Sequence, residues 1–146
     1  MFMNDQPLPP NDPREWLRRA RSNLVQAKEG KRLPGVYLED LCFQAQQAAE
    51  KALKGILIAL GVRFPYTHDL ATLLSLVERA GYSIPESVRD AALLSDYAVE
   101  ARYPGPAEPV TDEEYAEALS LAEAVVRWAE MIIGESGNGN SSVRMK

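Results

Sequence analysis

The side chains in this sequence that could do acid–base or phosphate chemistry are few. Its single histidine, His68, follows Arg63 at an Arg-x4-His spacing. General acid–base chemistry on a phosphate ester needs a group that takes a proton, a group that protonates the leaving oxygen and a cation on the phosphate. His68 could take one of the proton-transfer roles, and Arg63 could bind the phosphate. The alternative is structural, with His68 at the start of a helix and hydrogen-bonded near Thr67 and Asp69.

A second set of candidate residues lies on one face of a long predicted helix. At 100° per residue, four polar side chains fall within an arc of roughly 80°. They are Gln44, Gln47, Lys51 and Lys54. Amide and ammonium groups in this arrangement could bind a phosphate or a partner, and the alternative is a plain solvated face.

The rest of that helix is apolar. The side opposite the polar face predicts a core contact through Cys42, Ala49, Leu53, Ile56 and Leu60. Between the two faces lies a strip of small residues, Ala48, Ala52, Gly55 and Ala59. Such a strip allows another helix backbone to approach closely, either from within the chain or from a second copy of it. Both interpretations stay open on the sequence alone.

A third candidate is the pair Arg102 and Tyr103. A guanidinium group suits phosphate, and a nearby aromatic ring could stack on a base. Alternatively, Arg102 pairs with an acidic neighbour such as Glu100 or Asp96, and Tyr103 merely ends a helix.

Glycine and proline clusters divide the chain into five segments with helical periodicity, and none alternates as a strand would. The first predicted helix runs from an Asp12 cap, with Pro13 as its first residue, to Gly30, and the second from Val36 to Leu60, before Gly61. The third runs from a Thr67 cap to Ala80 and the fourth from Pro85 to about Tyr103. The fifth begins with a Thr111–Glu114 capping box and ends at Gly134. Each apolar stripe must pack on its neighbours. We therefore predict an all-α antiparallel bundle of about five helices, with an up-and-down four-helix core plus one, over 12–134, and flexible tails at 1–11 and 135–146.

Composition limits the classes of function. The chain has 146 residues, 46% of them hydrophobic, and a formal net charge of -5, which argues against attraction of nucleic acid to the whole surface. Residues 14–32 nevertheless carry seven basic against two acidic side chains, whereas residues 83–135 carry three against twelve. One cysteine and one histidine are too few for a structural zinc site, so we predict no metal and no cofactor. No apolar stretch approaches a membrane span, and we expect a cytoplasmic protein.

Three short motifs carry a resemblance to a known family. Residues 46–54 read QQAAEKALK, residues 67–70 read THDL, and residues 102–104 read RYP. In this order and spacing, over residues 12–134, the chain resembles HEPN domains. The resemblance implies a helical bundle that usually pairs as a homodimer and has a role tied to nucleotides or RNA. HEPN proteins of this kind are often encoded beside a minimal nucleotidyltransferase and act with it, in several cases as toxin and antitoxin.

Other HEPN proteins are metal-independent ribonucleases with an Arg-x4-6-His pair near the fourth helix. Arg102 stands at the corresponding place here, but no histidine follows it. The resemblance therefore favours a binding and regulatory module over an enzyme. We expect it to bind a nucleotide or RNA phosphate through Gln47, Lys51, Lys54, Arg102 and Tyr103. The alternatives are a divergent ribonuclease that uses His68 with Arg63 or Arg102, and a structural helical dimer or adaptor.

Overall fold

A computed structural model describes residues 8–98 and 109–137 of the chain, with side chains as far as Gly134. The helices are α1 (Pro13–Glu29), α2 (Leu38–Leu60), α3 (Leu70–Arg79), α4 (Glu86–Arg89) and α5 (Asp112–Gly137). Short 3₁₀ segments follow α1 at Gly30–Arg32 and α4 at Asp90–Tyr97. The described residues contain no strand, and the predicted all-α fold is confirmed.

Local signals fixed three helix ends as predicted. The Asp12 carboxylate accepts a hydrogen bond from the Arg14 backbone N–H, and Pro13 is the first residue of α1. The Thr111 N–H donates to Glu114 Oε1 at 2.9 Å, while the Glu114 N–H donates to Thr111 Oγ1 at 3.0 Å. This reciprocal pair is the predicted capping box of α5. Gly61 ends α2 with a φ of 71°, a left-handed conformation that glycine adopts without strain.

The start of α3 differs from the prediction. Asp69, and not Thr67, is the N-cap, since its carboxylate accepts from the Ala71 N–H. The Thr67 hydroxyl instead accepts from the Asp69 N–H at 3.0 Å. The chain is therefore non-helical through His68.

The predicted fourth helix is also wrong in type. The α-helical part ends at Arg89, and a 3₁₀ segment continues to Tyr97. Val88, Ala91 and Leu94 are each at most 1% exposed and recur at every third residue. A 3₁₀ helix has three residues per turn and places such a series on one face. The three-residue spacing of buried side chains therefore matches the tighter helix better than an α-helix. Tyr103, the predicted end of this helix, lies outside the described residues.

Helix α2 is the centre of the bundle and packs against α1, α3, α5 and the longer 3₁₀ segment. Its predicted core face is confirmed, with only Leu60 partly exposed. The small-residue strip is also enclosed, because Ala48, Ala52 and Gly55 are buried. A Cβ at Gly55 would lie 3.1 Å from Trp16 Cβ of α1 and 3.3 Å from Ile133 Cδ1 of α5. Helices α1 and α5 of the same chain therefore cover the strip at Gly55, and of its four residues only Ala59 is partly exposed. Most of the strip thus serves packing within the chain.

Candidate functional site

The centre of the candidate site is a carboxylate buried in the middle of α2. The Glu50 side chain is 6% exposed. One turn later in the same helix, Lys54 Nζ lies 2.8 Å from Glu50 Oε2. One turn earlier, Gln46 Nε2 donates to Glu50 Oε1 at 2.9 Å. His68, from the loop after α2, places Nδ1 2.9 Å from the same oxygen. We call Gln46, Glu50, Lys54 and His68 the Glu50 cluster.

The hydrogen bonds determine the charge of this carboxyl group. Burial raises the pKa of Glu50, but the hydrogen bonds from Lys54, Gln46 and His68 outweigh burial and hold that pKa below its ordinary value. Glu50 is therefore an anion at neutral pH. A carboxylate only accepts hydrogen bonds, so Nδ1 of His68 must carry a proton.

This arrangement leaves the other ring nitrogen of His68 available. The side chain is 48% exposed, and Nε2 makes no hydrogen bond to the part of the chain that the structure describes. In the neutral ring Nε2 is an acceptor, and in the imidazolium it is a donor. Glu50 thus orients an imidazole that can accept a proton from a hydroxyl group or donate a hydrogen bond to an anion.

The loop between α2 and α3, residues 61–69, closes over the buried lysine. Lys54 Nζ lies 5.8 Å from the ring centroids of both Phe64 and Tyr66. The Phe64 ring in turn meets Trp16 of α1 edge to face, with centroids 6.4 Å apart. With 8% of its side chain exposed, Lys54 is enclosed and paired with Glu50. The expectation of Lys54 on an open polar face is therefore wrong, because aromatic side chains distant in sequence cover it.

The rest of the predicted polar face forms a second hydrogen-bonded set along the α1–α2 groove. Lys51 Nζ donates to Asn23 Oδ1 at 2.8 Å, and Asn23 Nδ2 donates to Gln44 Oε1 at 2.6 Å. Burial and the nearby Arg19 guanidinium lower the pKa of Lys51. Gln47 Nε2 donates to Gln46 Oε1 at 2.8 Å and so joins this face to the Glu50 cluster. These partners hold Lys51 in the groove with its side chain partly exposed.

The structure brings some of the candidate residues together and leaves others apart. Gln47, Lys54 and His68 are linked through the Glu50 cluster. Arg63 is exposed in the α2–α3 loop and makes no hydrogen bond or ion pair with the described residues, His68 included. Arg102 and Tyr103 lie outside those residues. The expected hydrogen bonding of His68 near Thr67 and Asp69 is wrong, because the ring is drawn to Glu50.

Sequence reasoning did not single out Glu50, Gln46 or Tyr66 as site residues. A signal for Glu50 was present, because Glu50 and Lys54 have the i, i+4 spacing of a helical ion pair. That spacing did not reveal burial, which depends on the α2–α3 loop.

Two classes of feature are absent from residues 8–98 and 109–137. Within these ranges no three His, Cys, Asp or Glu side chains are grouped so that they could hold a metal ion. No helix there is both long and apolar enough to cross a bilayer.

Comparisons with known proteins agree with this architecture. TT1696 from Thermus thermophilus has a crystal structure that is 38% identical, with a TM-score of 0.72, over 84% of this chain and 98% of that one. The structure of ST0689, an archaeal HEPN homologue, is 26% identical, with a TM-score of 0.66, over 83% of this chain and 97% of that one. A search of the curated proteins found no match. The HEPN domain model matches residues 13–132, and the chain therefore belongs to the HEPN domain family.

Proposed function

We propose that the protein is a nucleotide- or RNA-associated binding module that acts as a homodimer with a minimal nucleotidyltransferase partner, in the manner of a toxin–antitoxin pair. The observation that carries the binding part is the half-exposed His68 ring, which the buried Glu50 carboxylate holds with Nε2 free of hydrogen bonds to the described residues. The phosphate of a nucleotide or of RNA is the ligand group that suits this site.

Charge in the site supports binding of an anion. The ammonium of Lys54 neutralises the Glu50 carboxylate at 2.8 Å. A proton gained by His68, or the charge of Lys51 in the adjoining groove, therefore leaves a local positive excess. Arg19 on α1 is close enough to Lys51 to lower the pKa of that lysine, but Glu15 balances its charge through an ion pair at 2.6 Å.

Calorimetric titration with adenosine monophosphate and with a short single-stranded RNA tests the binding. We expect His68→Gln and Lys51→Gln each to weaken it by about ten- to a hundredfold, since a hydrogen bond to a charged group is worth roughly 1.5–3 kcal/mol. Lys28→Gln is the matched control, because Lys28 is 59% exposed on α1 and its ion pair with Glu123 is long, at 3.9 Å. Equal binding by all four proteins, or no binding by the wild type, would overturn the proposal.

The homodimer is supported by exposed apolar side chains where α1 and α2 meet. A groove of about 580 Å³ includes Val25, Leu33 and Val36, which are 58%, 60% and 37% exposed. Light scattering on the wild type and on Leu33→Glu tests this part. We expect a dimer that the new charge converts to a monomer, and a monomeric wild type would contradict it.

The nucleotidyltransferase partner follows from the resemblance to HEPN proteins that act with such enzymes. Co-expression with a nucleotidyltransferase encoded beside this chain, followed by purification through a tag on one of the two, tests it. Co-elution at a fixed ratio is the expected result. Separate elution of the two proteins would remove the partner from the proposal.

A metal-independent ribonuclease is the second candidate, and the geometry of His68 favours it specifically. A carboxylate on Nδ1 and an open Nε2 are the arrangement in which imidazole acts as a general base. Arg63, exposed in the same loop, is the candidate phosphate ligand. Cleavage of RNA in the presence of a chelator should fall in His68→Ala and Arg63→Ala but not in Arg79→Ala, an exposed control on α3. Equal rates in all of these proteins would dispose of this candidate.

A further inference from the structure

Tyr66 is the most exposed of the large apolar side chains in the described residues, with 90% of its surface open to solvent. It is nevertheless not isolated. Its ring meets the His68 ring edge to face, with centroids 5.5 Å apart and planes at 68°. The ammonium of Lys54 lies 5.8 Å from the same ring. Tyr66 therefore combines a large open surface with two supporting contacts.

The loop on both sides of Tyr66 is anchored. Phe64 packs against Trp16, and His68 is hydrogen-bonded to the buried Glu50. Between them Pro65 restricts the backbone of its own position and of the residue before it. The backbone at Tyr66 is therefore set before any ligand arrives, which lowers the conformational entropy lost on binding. The ring itself is held by its contacts with His68 and Lys54.

Another exposed tyrosine shows that exposure alone does not create such a site. Tyr37 precedes α2 and is 70% exposed. It makes no aromatic or cation–π contact with the described residues. Tyr37 thus offers a similar surface without the support that Tyr66 has.

We infer that Tyr66 is a stacking platform for an unpaired nucleobase, whose phosphate lies against the open Nε2 of His68. This inference rests on the proposed function. It adds that the same site binds the base of the ligand as well as its phosphate. An aromatic ring supported on one side and open to solvent is the element on which proteins stack single-stranded bases. The adjacent His68 ring, once protonated, donates from Nε2 the hydrogen bond that a phosphate oxygen accepts.

The base and the phosphate can be tested separately with three ligands. Adenosine monophosphate carries both groups, ribose 5-phosphate lacks the base, and a short unstructured oligoadenylate presents the base within RNA. The variants are Tyr66→Ala, Tyr66→Phe and the matched control Tyr37→Ala, with affinities from calorimetry. Circular dichroism confirms that each variant folds.

We expect Tyr66→Ala to weaken binding of adenosine monophosphate and oligoadenylate by about tenfold or more, the loss typical of a stacked base. Binding of ribose 5-phosphate should not change, and Tyr66→Phe and Tyr37→Ala should behave as the wild type does. Binding of the oligoadenylate but not of the mononucleotide would identify RNA as the source of the base, and the reverse would identify a free nucleotide.

Three results would overturn the inference. If Tyr66→Ala binds adenosine monophosphate and oligoadenylate as tightly as the wild type while His68→Gln loses them, the phosphate site stands and the platform does not exist. If the wild type binds none of the three ligands, the proposed function fails along with the platform. If Tyr66→Ala loses binding to a partner protein while every nucleotide affinity is unchanged, Tyr66 binds that protein and not a base. This result also contradicts the platform.

Discussion

Nδ1 of His68 lies 2.9 Å from Oε1 of Glu50, although the two residues are 18 positions apart and only one of them is in a helix. This hydrogen bond joins the middle of α2 to the loop that follows it. It also gives a buried carboxylate, which already binds Lys54 and Gln46, a third donor. The stability of the bundle and the orientation of the imidazole therefore depend on the same group.

Replacement of Glu50 by glutamine should destabilise the protein strongly. The variant keeps the volume of the side chain but leaves the buried Lys54 ammonium without a counter-ion, and such a loss costs about 3–5 kcal/mol. Urea unfolding measures the change. Glu78→Gln is the control, since Glu78 pairs with Arg89 at the surface with about half of each side chain exposed, and its loss should change stability by less than about 1 kcal/mol. Similar effects of the two substitutions would mean that the Glu50–Lys54 pair is not buried in solution.

The contribution of Glu50 should disappear in acid. Its hydrogen bonds hold the pKa in the folded protein below the ordinary value of 4.5. The stabilisation is therefore fully present above that value and is lost as the pH falls through the lower folded pKa. Glu50→Gln lacks this dependence, so the stability difference between wild type and variant should shrink between about pH 7 and about pH 3. A difference that stays constant over this range would contradict the role given to the carboxylate.

The neutral His68 ring should have its proton on Nδ1. The Glu50 carboxylate can only accept a hydrogen bond, and this requirement selects one of the two tautomers. Long-range ¹H–¹⁵N NMR correlations of the single histidine distinguish them directly. Finding the proton of the neutral ring on Nε2 would show that the hydrogen bond to Glu50 is not formed.

Two glycines in long helices should respond in opposite directions to larger side chains. Nothing lies within 4 Å of a Cβ placed on Gly134, so Gly134→Ala should stabilise α5 by about 0.5–1 kcal/mol. At Gly55 the same atom would meet Trp16 and Ile133 at 3.1 and 3.3 Å. Gly55→Leu should therefore overpack the core and cost about 1–3 kcal/mol or more. Thermal unfolding gives both values, and a Gly55→Leu variant as stable as the wild type would contradict the close approach of α1 to α2.

Features of the fold that depend on neighbouring residues were predictable from the sequence. The caps at Asp12 and Thr111 and the stop at Gly61 each involve atoms within a few positions along the chain. The start of α3 was predicted wrongly at Thr67. Thr67 and Asp69 are both residue types that cap helices, and between them the His68 ring is held by Glu50. No local pattern contains that contact.

The candidate site was predictable only in part, for the same reason. Helical periodicity placed Lys54 on the correct side of α2. It could not show that Phe64 and Tyr66 cover that side. Lys54, predicted as a phosphate ligand, is therefore buried and pairs with Glu50. Lys51, three positions earlier, is partly exposed, and none of the described aromatic rings lies over its ammonium group.

The buried pairing of Glu50 with Lys54 has a consequence for how relatives of this protein can diverge. A protein in which only one of the two residues is replaced has an unpaired charge in its interior. A relative that lacks this ion pair should therefore differ at both positions, with apolar side chains of comparable volume in place of Glu50 and Lys54. His68 would then lose its anchor, and its conservation should follow that of Glu50 across an alignment.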